Sequence, residues 1–283
     1  MTVYILRKKW YDTAGCFNMK KWLRTVLLLV FTGIFLYSGW MLLDYFLASH
    51  KQKSQFNDLA HIVQQHSSET TLPPETLPTD DSQPESTLPT EPSILPEYAV
   101  IFDMNPDVVG WMKIDGTDIN YPVMQTPGRT DYYLHRDFYG NYSGHGCLYA
   151  QEDCDVATPS DNVIVYGHHM KDGSMFAGLL DYRKKAFYTE HPVIQFDSLT
   201  RHRRYEIFAV FLTTASEGQG FPYHQFINAQ TEEKFDDFAS QCKALSLYDT
   251  GITPVYGDKL LTLSTCEYSQ ENGRFVVVAR LVD

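Results

Sequence analysis

Leu260-Leu261-Thr262-Leu263-Ser264-Thr265-Cys266-Glu267-Tyr268-Ser269-Gln270-Glu271-Asn272-Gly273-Arg274-Phe275-Val276-Val277-Val278-Ala279-Arg280 is the stretch that decides the fold. Two apolar, β-prone runs flank a short polar loop, which reads as strand, turn, strand. Cys266 ends the first run and Arg274 opens the second, so closing the hairpin brings a thiol and a guanidinium together. A thiolate is a good nucleophile, and a fixed cation stabilises both it and a developing oxyanion. Taken alone, a cysteine at a strand end is more often a packing residue than a chemical one. The remainder of the chain has to discriminate.

Upstream of the hairpin, β-like runs recur at Val108–Ile114, Ile119–Met124, Gly146–Gln151, Asn162–Tyr166, Val193–Asp197 and Tyr205–Thr213, with the quoted stretch supplying Lys259–Cys266 and Phe275–Val282. Asp115-Gly116-Thr117 is a hairpin turn between the first two. Helical spacing is expected around Ser174–Arg183 and over Thr231–Leu247, where a Thr-Glu-Glu cap signal precedes Phe235, Phe238, Cys242 and Leu245. About eight strands with few helices imply a mainly β protein, a closed or nearly closed β-barrel occupying residues 98–283.

The N-terminal third has a different character. Thr25 to Leu43 is a run of 19 residues without a charge, and as a helix it spans about 28 Å, the hydrocarbon thickness of a bilayer. A cleaved signal peptide would show a shorter apolar region and a small-residue cleavage site, and Trp40 to Tyr45 offers none. One transmembrane helix over 25–47 is therefore expected. Six basic residues precede it, among them Arg7, Lys20 and Arg24, which places segment 1–24 in the cytoplasm and the rest outside. Residues 48–97 are expected as an extracellular stalk, with a short polar helix from Lys51 to about Gln65. From about residue 67 the stalk is expected to be disordered, because seven of the fourteen prolines fall between Pro73 and Pro96 and Thr-Leu-Pro recurs at 71, 76 and 87.

Composition excludes several classes. A formal charge of −12 argues against binding nucleic acid, which needs a basic surface. The one basic cluster, Arg201-His202-Arg203-Arg204, reads as a solvated turn between strands. Five cysteines, at 16, 147, 154, 242 and 266, are too few and odd for a disulfide framework. No metal site is expected, since no C-x-x-C occurs and adjacent His168 and His169 point to opposite faces of a strand.

A second chemical stretch is Asn162-Val163-Ile164-Val165-Tyr166-Gly167-His168-His169-Met170, a strand ending in Gly-His. A strand-terminal Tyr-Gly-His, a later strand-terminal Thr-Leu-Ser-Thr-Cys, and an arginine opening the final strand together resemble the sortase family, class B in particular, over Tyr98–Asp283. Asp131-Tyr132-Tyr133-Leu134-His135-Arg136, the run Met170–Phe176, the helix near 231–247 and the acidic residue after the cysteine strengthen the resemblance. It implies a membrane-anchored cysteine transpeptidase of Gram-positive bacteria. Such an enzyme cleaves the C-terminal sorting signal of a secreted protein, of an Asn-Pro-x-Thr-like kind, and transfers the protein through a thioester to the amine of a peptidoglycan precursor. By position in the motifs it implies Cys266 as nucleophile, His168 as general acid and base, and Arg274 as oxyanion and substrate clamp. Leu134, Tyr166, Ser264, Thr265 and Glu267 match places that line the signal-binding groove, and His169 takes no role. No cofactor is implied. Two other readings stay open on the sequence: a pilin-polymerising sortase, and a membrane-tethered wall-binding domain without turnover.

Overall fold

Strands β7 (Leu260–Cys266) and β8 (Gly273–Leu281) show why the quoted stretch is apolar without a break. Successive strand residues face opposite ways, and here both ways are covered. Phe275, Val277, Ala279, Leu261 and Leu263 join the main core, while Val276, Val278 and Leu260 belong to a second cluster beneath a helix. A computed structural model describes residues 14–69, 93–216 and 218–283. Its other strands are β1 (Val108–Lys113), β2 (Asn120–Met124), β3 (Leu148–Ala150), β4 (Asn162–Tyr166), β5 (Val193–Ser198) and β6 (Arg204–Thr214). They close into a barrel in the order β1-β2-β3-β4-β7-β8-β6-β5. All neighbours are antiparallel except the pairs β2–β3 and β4–β7. All eight expected strands are present, with ends shifted by no more than two residues.

Among the described residues four α-helices accompany the barrel: α1 (Ala14–Glu69), α2 (Pro96–Met104), α3 (Lys185–Glu190) and α4 (Glu232–Leu245). The Thr231 hydroxyl caps α4 by accepting from the Lys234 amide at 3.3 Å, and its stripe of Phe235, Phe238 and Cys242 covers the outer side of β6 to β8. Leu245, expected on that stripe, is exposed. Where one helix was expected over Ser174–Arg183, a 3-10 segment runs Ala177–Arg183 and α3 follows it.

Helix α1 belongs to two compact units, Met1–His50 and Lys51–Asp283. In the first, its large apolar side chains from Leu27 to Leu47 are exposed. It is the one helix among the described residues long and apolar enough to cross a membrane. In the second, residues 51–69, read from sequence as the inner part of a stalk, carry a buried face. Phe56, Leu59 and Val63 recur at helical spacing and join the barrel's core, with Phe56 edge-on to Tyr121 at 5.1 Å. The Gln52 amide donates to the Gly146 carbonyl at 2.7 Å and accepts from Ser143. The Pro-rich stretch expected as a disordered spacer lies, between 70 and 92, outside the described residues, as does most of the expected cytoplasmic segment. Where the described chain resumes, Pro96 opens α2, and Tyr98 and Ile101 are buried.

The basic cluster at 201–204 is exposed at Arg201, His202 and Arg204, as expected of a solvated turn, and departs from that expectation at Arg203. Arg203 is buried and donates to the carbonyls of Val156 and Ala157 at 2.6 and 2.7 Å, and His202 bridges Asp197 at 2.8 Å and Glu97 of α2 at 3.1 Å. His202 and Arg203 thus tie α2, β5 and the loop before β4 together.

Candidate active site

Register places the three chemical side chains. In the β7–β8 ladder Cys266 lies directly opposite Arg274, where facing Cβ atoms are about 5 Å apart. Strand β4 runs parallel to β7 with Tyr166 beside Ser264. The pairing continues past the strand end, because the Gly167 amide donates to Ser264 O at 3.2 Å and the Thr265 hydroxyl donates to Gly167 O at 2.7 Å. Two residues beyond Tyr166, His168 therefore falls beside Cys266. Gly167 is required for this approach, since a Cβ there would lie 2.4 Å from Leu148 Cδ2 and 2.7 Å from Phe176 Cδ2.

His168 is half-buried and donates from Nε2 to the Leu134 carbonyl at 2.7 Å. A carbonyl can only accept, so it fixes the proton on Nε2 and leaves Nδ1 as the nitrogen that gains and loses one. Burial lowers the pKa of His168 below 6.5, aided by the charges of His135 and His145 and opposed by the Leu134 carbonyl. The guanidinium of Arg274 rests on its own turn, donating from Nη1 to Asn272 O at 3.2 Å and Gly273 O at 3.0 Å. His169, given no role on sequence grounds, donates from Nδ1 to the Cys266 carbonyl at 3.2 Å and stacks on Tyr268 at 5.2 Å. It tethers the end of β7. Cys147, Cys154 and Cys242 are free thiols buried elsewhere, and burial raises each of them, to about 11 for Cys154.

Cys266, His168 and Arg274 share the wall of a groove of about 530 Å³ with Leu134, Tyr166, Ser264 and Thr265. The structure thus gathers seven of the eight residues singled out from sequence. Glu267 is the correction. It is buried away from the groove, accepting from Arg183 at 2.5 Å and from the Ser269 hydroxyl at 2.5 Å. Strand alternation explains this, because the residue after Cys266 faces the other side of the sheet. The two donors lower the Glu267 pKa despite its burial.

Sequence reading missed part of the wall. Tyr223 shares a 2.6 Å hydrogen bond with Ser264, Tyr166 donates to Gln151 at 2.6 Å, and Tyr149 donates to Asp131 at 2.8 Å. Burial raises all three phenols, so they line the groove as neutral hydroxyls. Asp131 alone carried a signal, as the head of the Asp131–Arg136 segment; it holds φ 54 before the 3-10 turn Tyr132–His135. Among the described residues no group of three or more His, Cys, Asp or Glu side chains is placed to hold a metal ion.

A thiol, an imidazole and a guanidinium converging on one groove of a closed barrel define a cysteine acyl-transfer site. The sortase domain family matches residues 112–282, and the chain belongs to this family of cysteine transpeptidases. Its resemblances are to class B members. Sortase B of Listeria monocytogenes is 31% identical over 268 residues, covering 94% of this chain and 99% of the relative. Sortase B of Staphylococcus aureus is 31% identical over 192 residues, covering 67% and 76% respectively. Among solved structures, the Staphylococcus aureus sortase B–substrate complex superposes with a TM-score of 0.69 at 26% identity, covering 84% of this chain and 99% of that one. A sortase B-like protein from Bacillus anthracis gives 0.67 at 28% identity, with 82% and 96% covered.

Proposed function

We propose that this chain is an anchored class B sortase that cleaves a C-terminal sorting signal, of an Asn-Pro-x-Thr-like kind, and joins the protein to the amine of a cell-wall precursor. The observation that carries the reading is the register: Cys266 faces Arg274 across one ladder, and His168 reaches it from the parallel strand at the head of the groove. The Cys266 thiolate attacks the carbonyl carbon of the scissile amide, and the carbonyl electron pair moves to oxygen. Arg274, released from the Asn272 and Gly273 carbonyls, meets that oxyanion. The C–N bond breaks as the His168 imidazolium gives its Nδ1 proton to the departing amine. A thioester remains on Cys266. The acceptor amine then adds to it, a proton passes to His168, and the thiolate leaves with a new amide formed.

Residues 25–47 cross the membrane in this reading, segment 1–24 is cytoplasmic, and the barrel acts outside the cell where secreted substrates emerge. The test is product analysis by mass spectrometry, with a library of sorting-signal peptides offered alongside glycine oligomers and other candidate amines. A thioester on Cys266 and an amide product are expected, and Cys266→Ala loses both. Full turnover by Cys266→Ala would sink the reading. Ladders of covalent oligomers from a lysine-bearing acceptor would point instead to polymerisation, and absence of any acyl-enzyme to a binding domain.

A further inference from the structure

His168 does not stand alone. The ring of His135 stacks on it with centroids 5.4 Å apart and planes inclined by 29°. Tyr142 stacks on the far side of His135, at 6.3 Å and 30°. Three rings thus form a ladder from the exposed surface to the groove. The backbone locks it in place: the Ser143 amide donates to His135 O at 3.0 Å, and Arg136 pairs with Tyr142 in an isolated bridge. The carbonyl that anchors His168 belongs to Leu134, one residue before His135. One short turn therefore supplies both the hydrogen-bond acceptor for His168 and a second imidazole against its face.

We propose that His135 is a positioning residue for the transfer reaction, a stacked imidazole that fixes the plane of His168 and disfavours a positive charge on it. It rests on His168 being the proton-transfer group. Two imidazolium rings at this separation repel, so a charged His135 shifts His168 towards the neutral form that can take the thiol proton. When His168 does become charged, its imidazolium is a stronger acid towards the departing amine. Other charged groups face the same ring. His145, from the loop before β3, also bears on His168, but its Nε2 lies 3.0 Å from Asp172, which offsets its charge. Arg136 turns its guanidinium onto the Tyr132 ring at 4.7 Å and donates to Gly140 O at 2.7 Å. Cys266 and Arg274 line the same groove beside His168. Among the described residues His135 makes no ion pair, so its charge acts on His168 uncompensated.

The test needs no substrate. Diethyl pyrocarbonate acylates neutral imidazole, so its rate at His168, read by peptide mass spectrometry on the full chain in detergent micelles, reports the neutral fraction of that ring. The quantity compared is the rate at pH 6 divided by the rate at pH 8, which cancels differences in access; exposed His224 serves as reagent control. His135→Phe keeps a stacked ring and removes the charge, so the ratio should fall, by at most about threefold, the limit set by a water-screened repulsion at 5.4 Å. His135→Gln, neutral without a ring, should fall likewise. His135→Lys, always charged, should hold the ratio at or above the wild-type value. Because His135 is exposed, none of these changes threatens folding. An unchanged ratio in His135→Phe, or Phe and Lys variants falling together, would overturn the proposal. Retained thioester formation in His168→Ala would instead overturn the role of His168, independently of these ratios.

Discussion

Leu59→Ala tests whether residues 51–69 are part of the folded enzyme body. Leu59 is 1% exposed and packs with Phe56 and Val63 into the barrel's core. Alanine is the best helix former, so the substitution leaves the helix itself intact and removes only packing. Emptying such a site costs about 2–5 kcal/mol. For a unit of this size 1 kcal/mol lowers Tm by about 2–4 °C, so a central value of about 3 kcal/mol corresponds to roughly 6–12 °C. There is a ceiling, however. If the helix docks by less than the cost of the cavity, it undocks first, and the fall in Tm stops at the docking free energy. Thermal unfolding of the full chain in detergent, followed by tryptophan fluorescence, measures the shift, with exposed Gln64→Ala as control, expected within about 0.5 kcal/mol of wild type. Hydrogen exchange separates the two regimes, since undocking raises exchange over 51–69 and spares the β7 and β8 amides. A Leu59→Ala chain that melts with the Gln64→Ala control and keeps slow exchange over 51–69 would refute the packing described.

Three further outcomes are expected. Gly146 has φ 60, and a Cβ there would lie 2.3 Å from Leu134 O; Gly146→Ala must displace the carbonyl that anchors His168, so acyl-enzyme formation should fall at least about tenfold even where circular dichroism shows a folded chain. Arg274→Ala should lower the rate of thioester formation by about 10²–10³ with little change in KM, because the charge it meets exists only in the transition state; a KM effect alone would assign it to ground-state binding. At His202 partial burial opposes the charged ring, but the hydrogen bond and charge of Asp197, with Glu97 adding to them, outweigh it and raise its pKa above 6.5. The tie therefore stabilises fully below pH 6.5 and is lost as pH rises through the folded value. The Tm gap between wild type and His202→Gln should be a few degrees at pH 6 and close by pH 9, and a gap that widened with pH would reverse the sign.

The barrel was legible because its strands are built from β-branched and aromatic runs separated by turn residues, a local signal strong enough to read at all eight. The long apolar helix was legible from length and composition alone. What failed was attribution. Phe56, Leu59 and Val63 form a readable amphipathic stripe, but lying between an apolar span and a proline-rich stretch they passed for an outward extension of the anchor. Only the complementary surface beside Tyr121, remote in sequence, reveals what the stripe covers. In the site, Cys266, His168 and Arg274 declared themselves by residue type at strand ends. Glu267 was misplaced because adjacency in sequence is opposition in a strand. Tyr223 and Gln151 come from segments without a motif, and the Leu134 contribution is a backbone carbonyl, which no side-chain pattern encodes.

Two kinds of constraint meet at Cys266. Its relation to Arg274 is set by an antiparallel ladder that continues through seven residue pairs, so the spacing of thiol and guanidinium is stiff. Its relation to His168 depends on loops. The ring is held by Leu134 O, that carbonyl lies against Gly146, and Gly146 is in turn held by Gln52 of α1. A change in the docking of α1 can therefore reach His168 through three contacts without disturbing the thiol–guanidinium pair. It follows that substitutions along this path should alter the pH dependence of acyl transfer, whereas substitutions within β7 and β8 should alter its magnitude. Gln52→Ala separates the two. A shift in its pH profile at unchanged maximal rate would locate control of the reaction in the loops, and a uniform loss at every pH would place it in the barrel wall.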